Sequence, residues 1–322
     1  MGSKTSIEWT RGDDGSAGAT WNPIRARNLA TGKIGWHCEH VSEGCRNCYS
    51  ESMNRRLGTG LDFKPGHRAD VENFLDERML LAPLRWKKPR RIFVNSMTDT
   101  FAEFVKDEWI DRMFAVMALC PQHTFQVLTK RPERMLAYIA HPDHAVRWFR
   151  IIDDEWALAN QDLSFERVTP NAILSNVWVG VSAEDQTAAD ERIPLLLQTR
   201  AAVRFVSLEP LLGPIDLVQC KAVTIETPVM KPAGCIDWVI VGGESGPHAR
   251  PMNPQWARDI RDQCKAASVA FFHKQNGEYA SVSEVEGEGA HFHFDDGRTV
   301  RRVGKKAAGR LLDGRTHDEM PA

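Results

Sequence analysis

Six short apolar runs recur between residues 92 and 272, and amphipathic stretches of helical length separate them. The runs cover 92–94, 125–128, 177–181, 203–206, 238–241 and 269–272. The stretches at 107–119, 132–140, 185–198 and 254–267 each begin with Asp or Pro, residues that favour helix starts. Buried strands that alternate with helices predict parallel strands with helical crossovers, which is an α/β fold.

Polar or ionisable residues follow every one of these runs, at the position where each strand ends. The segments are 95–99, 129–131, 182–185, 207–210, 242–245 and 273–275. In a parallel barrel the carboxyl ends of all strands open on one face, and that face carries the functional site. A doubly wound sheet shows the pattern at fewer strands. We therefore favour a full or partial (β/α) barrel, similar to a TIM barrel, over a doubly wound sheet.

The rest of the chain divides around this core. We expect residues 1–20 to be a flexible N-terminal segment, 21–276 to form the barrel domain, and 277–322 to form a C-terminal extension. Within the barrel domain the pattern also predicts a first short strand near 34–36, a helix over 49–57 and a helical insertion over 145–160. In the extension a turn at Asp295-Asp296-Gly297 predicts a hairpin over 291–303.

Composition and charge narrow the class of protein. The chain has 322 residues, of which 42% are hydrophobic and 26% charged, and its net charge is −2. These values are typical of a globular protein, and they argue against a globally basic nucleic-acid binder while leaving a local basic patch open. No apolar run of membrane-spanning length occurs, and the N-terminus lacks the layout of a signal peptide. An odd number of cysteines without even spacing indicates a reducing, cytoplasmic environment.

Three of the seven cysteines lie within eleven residues, in the segment 37–49. Cys38, Cys45 and Cys48 have the spacing C-x6-C-x2-C. Clustered thiolates usually bind a metal, and three ligands leave one position open on an iron–sulfur cluster. Two alternatives remain at this point: a Cys3His zinc site that uses His37 or His40, and three unrelated buried thiols. The other four cysteines are expected to be packing residues.

With these segments assembled, the chain resembles a group of phage-encoded and bacterial proteins catalogued as a phage protein of unknown function. Their three-cysteine loop relates them to the radical S-adenosylmethionine (radical SAM) enzymes, in the branch that contains spore photoproduct lyase. The first gap here has six residues where radical SAM enzymes usually have three. The matching segments are 6–10, 20–23, the cysteine loop with Tyr49, 93–101, 125–132, 177–185, 205–213, 237–247, 274–275 and 309–321.

This resemblance implies a [4Fe–4S] cluster with Cys38, Cys45 and Cys48 as ligands. S-adenosylmethionine would occupy the fourth iron, and electron transfer would cleave it to a 5′-deoxyadenosyl radical that abstracts hydrogen from a substrate. In such a protein the chain supplies placement and electrostatics, and the cofactor supplies the difficult chemistry.

The resemblance also implies cofactor contacts at the strand ends. A polar segment after the second strand of radical SAM folds binds the methionine amino group, and here Asp99 is the best charged acceptor. Ser182 and Glu184 follow the fourth core strand, where ribose and amino contacts lie. The alternatives are a turn cap for Asp99 and a place in the first turn of the next helix for Glu184.

Three further strand ends contribute candidates. Lys130 and Arg131 are suited to binding a carboxylate or phosphate. The alternative is that Arg131, before Pro132, is only a solvated loop charge. Ser207 and Glu209 end the fifth strand, and the proline after Glu209 keeps the backbone extended. Gly243 and Glu244 lie in a glycine-rich segment that lets the backbone approach a ligand, or that is simply a turn.

Three functions follow as expectations. The first is a radical SAM enzyme that acts on a nucleic-acid base or modified nucleotide, with DNA or a nucleotide as partner and basic segments at 87–91 and 301–310 for phosphates. A solvated surface is the alternative for those segments. The second is a non-catalytic, zinc-binding phage-accessory or nucleic-acid-binding protein. The third is a radical SAM enzyme for a small molecule. Both enzymes need an electron donor such as flavodoxin or ferredoxin, and no membrane partner is expected.

Overall fold

The computed structural model of the protein describes residues 5–12, 14–153, 173–223 and 235–321. Its strands are β1 (Ala19–Trp21), β2 (Ile24–Asn28), β3 (Ile34–Gly35), β4 (Val71–Leu75), β5 (Arg91–Val94), β6 (Thr124–Thr129), β7 (Val177–Ser182), β8 (Val203–Leu208), β9 (Trp238–Gly242), β10 (Ala270–Gln275), β11 (Tyr279–Ser281), β12 (His291–His293) and β13 (Thr299–Arg302). Its α-helices are α1 (Tyr49–Leu57), α2 (Glu77–Leu80), α3 (Asp107–Ala118), α4 (Pro132–Ala140), α5 (His144–Ile151), α6 (Gln186–Gln198), α7 (Pro254–Ala266) and α8 (Lys305–Ala308).

The main sheet has seven strands in the order β1-β5-β6-β7-β8-β9-β10. The pairs β1–β5, β5–β6, β8–β9 and β9–β10 are parallel. All six predicted strands are present in this sheet, and the α/β class is confirmed. Among the described strands β1 and β10 end the order, so the sheet is open. An open sheet agrees with the predicted partial barrel and not with a full, closed barrel.

Burial explains why the six apolar runs form parallel strands. Every position of β9 is buried, and in β8 every position except Arg204 is buried. A strand covered on both faces needs apolar side chains at consecutive positions, which is typical of parallel sheets. The seventh strand, β1, has only three residues and follows a stretch rich in Gly, Asp and Ser. It carries no apolar run, and the pattern therefore did not predict it.

The predicted helices are present with bounds that differ by at most one residue. Pro132 and Pro254 begin α4 and α7. Proline is favourable there because the N–H that it lacks would have no acceptor within the helix. The side chain of Asn253 accepts the backbone N–H of Gln255 and caps α7. The insertion predicted over 145–160 begins as α5, and its residues 154–160 lie outside the described part of the chain.

Two small antiparallel sheets accompany the main sheet. In one, β2 pairs with β3 and β4. The strand predicted near 34–36 is therefore real, but it belongs to this small sheet. In the other, β13 lies between β11 and β12. The β12–β13 pair is the predicted hairpin over 291–303.

The chain divides into two compact units. Unit 1 comprises residues 1–40, 50–179 and 199–202, and unit 2 comprises 41–49, 180–198 and 203–322. In the segment predicted to be flexible, Trp9 and Thr10 are buried. No helix in the described ranges combines the length and the apolar character that a bilayer span requires.

His273 on β10 connects the main sheet to the C-terminal residues of unit 2. Its side chain is fully buried, and its Nε2 lies 2.9 Å from Oδ1 of Asn276. The Nδ2 of Asn276 donates to the carbonyl oxygens of Ala308 and Leu311, and Arg310 donates to the carbonyl oxygen of His273. Burial lowers the pKa of His273 to about 4.

This burial predicts a pH dependence of stability. The unfolded chain binds a proton on residue 273 below pH 6.5, whereas the folded chain does so only below about pH 4. The free energy of unfolding should therefore decrease as the pH falls through this window, with about 3 kcal/mol assigned to His273. Urea unfolding between pH 4 and 7 measures it. The variant His273→Gln should show a shallower slope, and an unchanged slope would contradict the assignment.

Candidate functional site

Loop 41–49 is the part of the cysteine segment that belongs to unit 2. Residues Glu43–Cys45 form a single 3-10 turn, closed by hydrogen bonds from Cys45 N–H to Ser42 O and from Arg46 N–H to Glu43 O. The N–H of Cys48 then donates to the carbonyl oxygen of Cys45 over 3.2 Å. Both cysteines are half-buried and neither forms a disulfide. Tight backbone turns thus place both thiols at a partly accessible position.

Glu184 binds this loop at the end of β7. Its Oε1 accepts the backbone N–H of Gly44 over 3.0 Å. Arg192, two turns into α6, donates to the other oxygen of Glu184 over 3.2 Å and to the carbonyl oxygen of Ser182 over 2.7 Å. The Glu184 and Arg192 side chains are almost fully buried. A buried carboxylate needs such a partner, since an unpaired charge away from water is strongly destabilising.

Gly44 is required by the closeness of this contact. A Cβ added at residue 44 would lie 2.9 Å from Oε2 and 3.0 Å from Cδ of Glu184. The carboxylate cannot easily move away, because Arg192 and the Gly44 N–H both bind it. Glycine therefore allows the loop backbone to sit directly on the strand-end carboxylate.

Glu244, after β9, binds the same loop at a second point. Its Oε2 accepts the Nδ2 of Asn47 over 3.0 Å, and that amide also donates to the carbonyl oxygen of His248. Arg250 donates to both oxygens of Glu244 and reaches the carbonyl oxygen of Glu43 over 2.9 Å. Burial alone would raise the pKa of Glu244, but the hydrogen bonds from Arg250 and Asn47 lower it. The ionised carboxylate of Glu244 therefore fixes the side chain of Asn47, which lies between Cys45 and Cys48.

The ends of β8 and β10 carry a second charged group in unit 2. Lys274 Nζ lies 2.9 and 2.8 Å from the two carboxylate oxygens of Glu209, and Gln275 Nε2 donates to Oε1 over 2.8 Å. Ser182 Oγ lies 3.5 Å from the carbonyl oxygen of Glu209. A Cβ at Gly243 would lie 2.2 Å from a backbone oxygen, so this glycine is required by close packing. Ser207 is buried.

In unit 1, Asp99 lies at the centre of a buried hydrogen-bond network. Its Oδ1 accepts from Phe101 N–H and Thr129 Oγ1, and its Oδ2 accepts from the backbone N–H of Lys130 and from Arg131 Nη1. Four donors match the acceptor capacity of one carboxylate. Asp99 is thus engaged with its own chain, and Lys130 contributes through its backbone. Their assignment to a cofactor stays a prediction.

Arg131 links this network to Cys38. Its guanidinium is buried and donates to the carbonyl oxygen of Glu39 over 3.2 Å, while Cys38 Sγ lies 3.9 Å from the same oxygen. Burial alone would lower the pKa of Arg131, but Asp99, Cys38 and Glu103 raise it. Arg131 therefore places a buried cation near Cys38.

The two neighbours of Cys38 in the chain point into unit 1. Both carboxylate oxygens of Glu39 accept from Arg68, over 2.7 and 2.6 Å, and His37 Nε2 lies 3.3 Å from Oε1. The hydrogen bonds from Arg68 are the main reason that the pKa of Glu39 is lowered, and burial lowers the pKa of His37. His37 is therefore used inside unit 1 as a partner of Glu39. Cys38 itself is half-buried.

The remaining cysteines differ from these three. Cys120, Cys220, Cys235 and Cys264 are buried, in agreement with the predicted packing role. Burial raises the pKa of Cys120 to about 12 and that of Cys220 to about 11. Within the described residues, no group of three or more His, Cys, Asp or Glu side chains is arranged to hold a metal ion. Partial exposure is therefore what distinguishes Cys38, Cys45 and Cys48 from the other four cysteines.

The structure brings two of the predicted strand-end residues to one loop. Glu184 and Glu244 both bind loop 41–49, a role that the pattern did not predict. Sequence reasoning also missed the cations that make these contacts possible, Arg192 and Arg250. Each follows its carboxylate by six or eight residues, on a helix or turn, and such a spacing is too common to signal an ion pair.

We expect Gly44→Ala to loosen the loop because the new Cβ overlaps the bound carboxylate. A loss of about 1 kcal/mol of stability is typical for such an overlap. The more direct consequence is faster alkylation of Cys45 and Cys48 by iodoacetamide, measured by peptide mass spectrometry. Gly66→Ala is the matched control, since a Cβ there meets nothing within 4 Å. Equal labelling in both variants would contradict the proposed contact.

We also expect Arg131→Met to destabilise unit 1 by about 3 kcal/mol, because it leaves Asp99 charged and buried without its cation. Thermal and urea unfolding measure this loss. Arg27→Met provides the comparison, since its ion pair with Glu72 is solvent-exposed and should contribute below about 1 kcal/mol. Similar losses in the two variants would show that the buried pair has no special importance.

Comparison with known proteins gives one match. A family model described as "Protein of unknown function (DUF5131)" matches residues 4–321. No curated protein and no solved structure matches the chain.

Proposed function

The chain belongs to the DUF5131 family, whose description names no activity. We propose from the cysteine segment that it is a radical SAM enzyme with a [4Fe–4S] cluster on Cys38, Cys45 and Cys48. The resemblance of the three-cysteine loop motivates this proposal. One observation in the structure supports it most. Loop 41–49, with two of the three thiols, is bound to carboxylates at the carboxyl ends of two parallel strands.

This position is where parallel α/β sheets place their functional sites. Carboxyl ends of strands present loops that can be varied without changing the core. In unit 2 those loops contribute Glu184, Glu209 and Glu244 from three successive strands of the sheet order. A segment that only packed the core would have no need of two buried carboxylates, one bound to its backbone at Gly44 and one to the side chain of Asn47.

The donor chemistry also fits the proposed cluster. Cys38, Cys45 and Cys48 are half-buried, whereas the other four cysteines are buried. Thiolates are the ligands that iron–sulfur clusters require. The inclusion of Cys38 with the other two is based on their spacing in the sequence. When bound, such a cluster with S-adenosylmethionine would supply one-electron cleavage of a carbon–sulfur bond.

The chain's own residues fix the segments that carry the proposed ligands. Arg131 places a cation near Cys38, and Arg250 with Glu244 fixes Asn47 between the other two cysteines. Lys274 and Glu209 form an ion pair whose side chains are mostly buried, which gives unit 2 a polar group for orienting a substrate. Lys130, Ser182, Ser207 and Gly243 remain proposed cofactor contacts.

For the substrate we propose a nucleic-acid base or modified nucleotide. The support is the resemblance, together with the basic segment 87–91 as a phosphate contact, because Lys87 and Lys88 are exposed there. This segment leads into the amino end of β5, at the opposite end of the strand from segment 95–99, so it would contact a nucleic acid away from the reacting base. A small-molecule substrate predicts no DNA binding at all. Fluorescence anisotropy of labelled DNA at several salt concentrations distinguishes the two, and Lys87→Ala with Lys88→Ala should reduce any salt-dependent binding.

Anaerobic reconstitution with iron and sulfide tests the cofactor. We expect about four irons per chain, absorbance in the blue, and release of 5′-deoxyadenosine from S-adenosylmethionine after reduction with dithionite. The variants Cys38→Ala, Cys45→Ala and Cys48→Ala should each lose the cluster while the chain stays folded. Cys220→Ser is the control, because its hydroxyl can keep the hydrogen bond that the thiol donates to Leu217 O.

Other outcomes decide between the alternatives. One zinc per chain, no colour and no cleavage would favour the non-catalytic zinc-binding protein. Full iron content in Cys45→Ala would show that the ligand assignment is wrong.

A further inference from the structure

Cys45 and Cys48 are the two end residues of one tight turn in unit 2. The N–H of Cys48 donates to the carbonyl oxygen of Cys45 over 3.2 Å and so closes a four-residue turn. Arg46, between them, has right-handed helical backbone angles, with φ −56° and ψ −43°. Turns of this kind keep the Cα atoms of their end residues within about 7 Å. A disulfide needs a Cα separation of about 4.4–6.8 Å, so the backbone of the turn suits a bridge between its ends.

The direction of the two side chains suits a bridge as well. Cys45 ends the 3-10 turn Glu43–Cys45, and the hydrogen bond from Cys48 continues the same pattern of bonds between residues three apart. In a 3-10 helix, side chains three residues apart lie on the same side. The two thiols of the turn are therefore expected to lie on one side of it.

The residue before each of these cysteines is fixed to a carboxylate of unit 2. Gly44 donates its backbone N–H to Glu184 over 3.0 Å. Asn47 donates its side-chain amide to Glu244 over 3.0 Å. A turn that is fixed in this way presents its two thiols to each other at a high effective concentration. Such a pair forms an intramolecular disulfide in preference to two mixed disulfides with small thiols.

Access and position select this pair among the seven cysteines. Reaction with a solute requires that the solute reach the sulfur atom. Cys38, Cys45 and Cys48 are half-buried, whereas the other four cysteines are buried. Cys38 belongs to unit 1, while Cys45 and Cys48 share one turn of unit 2. The turn therefore assigns Cys45 and Cys48 to each other.

We propose that Cys45 and Cys48 are a reversible dithiol–disulfide pair, oxidised by a small disulfide of the glutathione class. The thiolate of one cysteine attacks a sulfur of the oxidised reagent and releases one reduced thiol. The thiolate of the other cysteine then attacks the mixed disulfide and releases the second thiol. In total the two cysteines lose two electrons and two protons, and the reagent is reduced to two thiols.

This bridge controls the loading of the proposed cluster, a consequence that rests on the proposed function. Iron–sulfur clusters bind thiolates, and a sulfur atom in a disulfide is not a thiolate. The oxidised loop therefore withholds two of the three proposed ligands, and the reduced loop offers both. Loading then requires reducing conditions, which match the environment that the cysteine content indicates.

The test uses the full chain without iron, equilibrated in buffers with different ratios of reduced to oxidised glutathione. Acid quenching, alkylation with iodoacetamide and peptide mass spectrometry distinguish the dithiol, the mixed disulfides and the bridge. We expect the Cys45–Cys48 bridge, lighter by its two thiol hydrogens, to be the main oxidised form. Dithiothreitol should restore the dithiol. Cys38→Ser should form the bridge as the wild type does, because residue 38 lies outside the turn.

Asn47→Ala tests the role of the fixed turn. It removes the amide that Glu244 binds and leaves both cysteines in place. We expect the ratio of bridge to mixed disulfide to fall roughly fivefold at the same glutathione ratio, which corresponds to the loss of one hydrogen bond. Asn73→Ala, on β4 of unit 1, is the matched control and should keep the wild-type ratio. Equal ratios in Asn47→Ala and the wild type would overturn the proposed effect of the turn.

The outcomes separate this inference from the proposed function. Thiols that stay reduced in every glutathione buffer, that form only mixed disulfides, or that pair with Cys38 overturn the Cys45–Cys48 pair. If the reduced chain then still binds iron, the enzyme proposal stands without it. A bridge that forms in a chain whose reduced form binds no iron supports the pair and overturns the proposed function. Equal iron binding by the bridged and the reduced chain overturns the control of loading.

Discussion

The hydrogen bond from the backbone N–H of Gly44 to the buried carboxylate of Glu184 is the contact on which the cysteine loop depends. A backbone donor fixes the chain itself, whereas a side-chain contact fixes only a side chain. Arg192 compensates the burial of this carboxylate by pairing with it. Removing any of the three groups leaves a buried polar or charged atom without its partner, so the loop and the end of β7 are fixed together.

The same solution recurs at three further strand ends. In unit 2 Glu244 pairs with Arg250 and Glu209 with Lys274, and in unit 1 Asp99 pairs with Arg131. Each carboxylate binds a loop or a neighbouring strand end. Buried ion pairs of this kind contribute little net stability, but breaking one of them is costly. They are therefore better suited to fixing one arrangement of loops than to strengthening the fold. A site that has to present thiols in a defined way benefits from that specificity.

Helix α1 extends this principle to the surface. Ser50, Glu51 and Asn54 bind backbone groups of neighbouring loops, so hydrogen bonds fix the buried face of the helix.

The sequence by itself determined the six core strands, their parallel class and the helices between them. Apolar runs such as 238–241 have only one favourable environment, a strand covered on both faces. It also identified Glu184 and Glu244 as strand-end residues. It could not show what they bind, because Gly44 and Glu184 are distant in the chain and any carboxylate can pair with many donors. Nor could it find β1, whose three residues become a strand only when β5 pairs with them. Local pattern decides which segments bury themselves, but only the tertiary structure decides which polar groups meet, since that depends on contacts between segments remote in sequence.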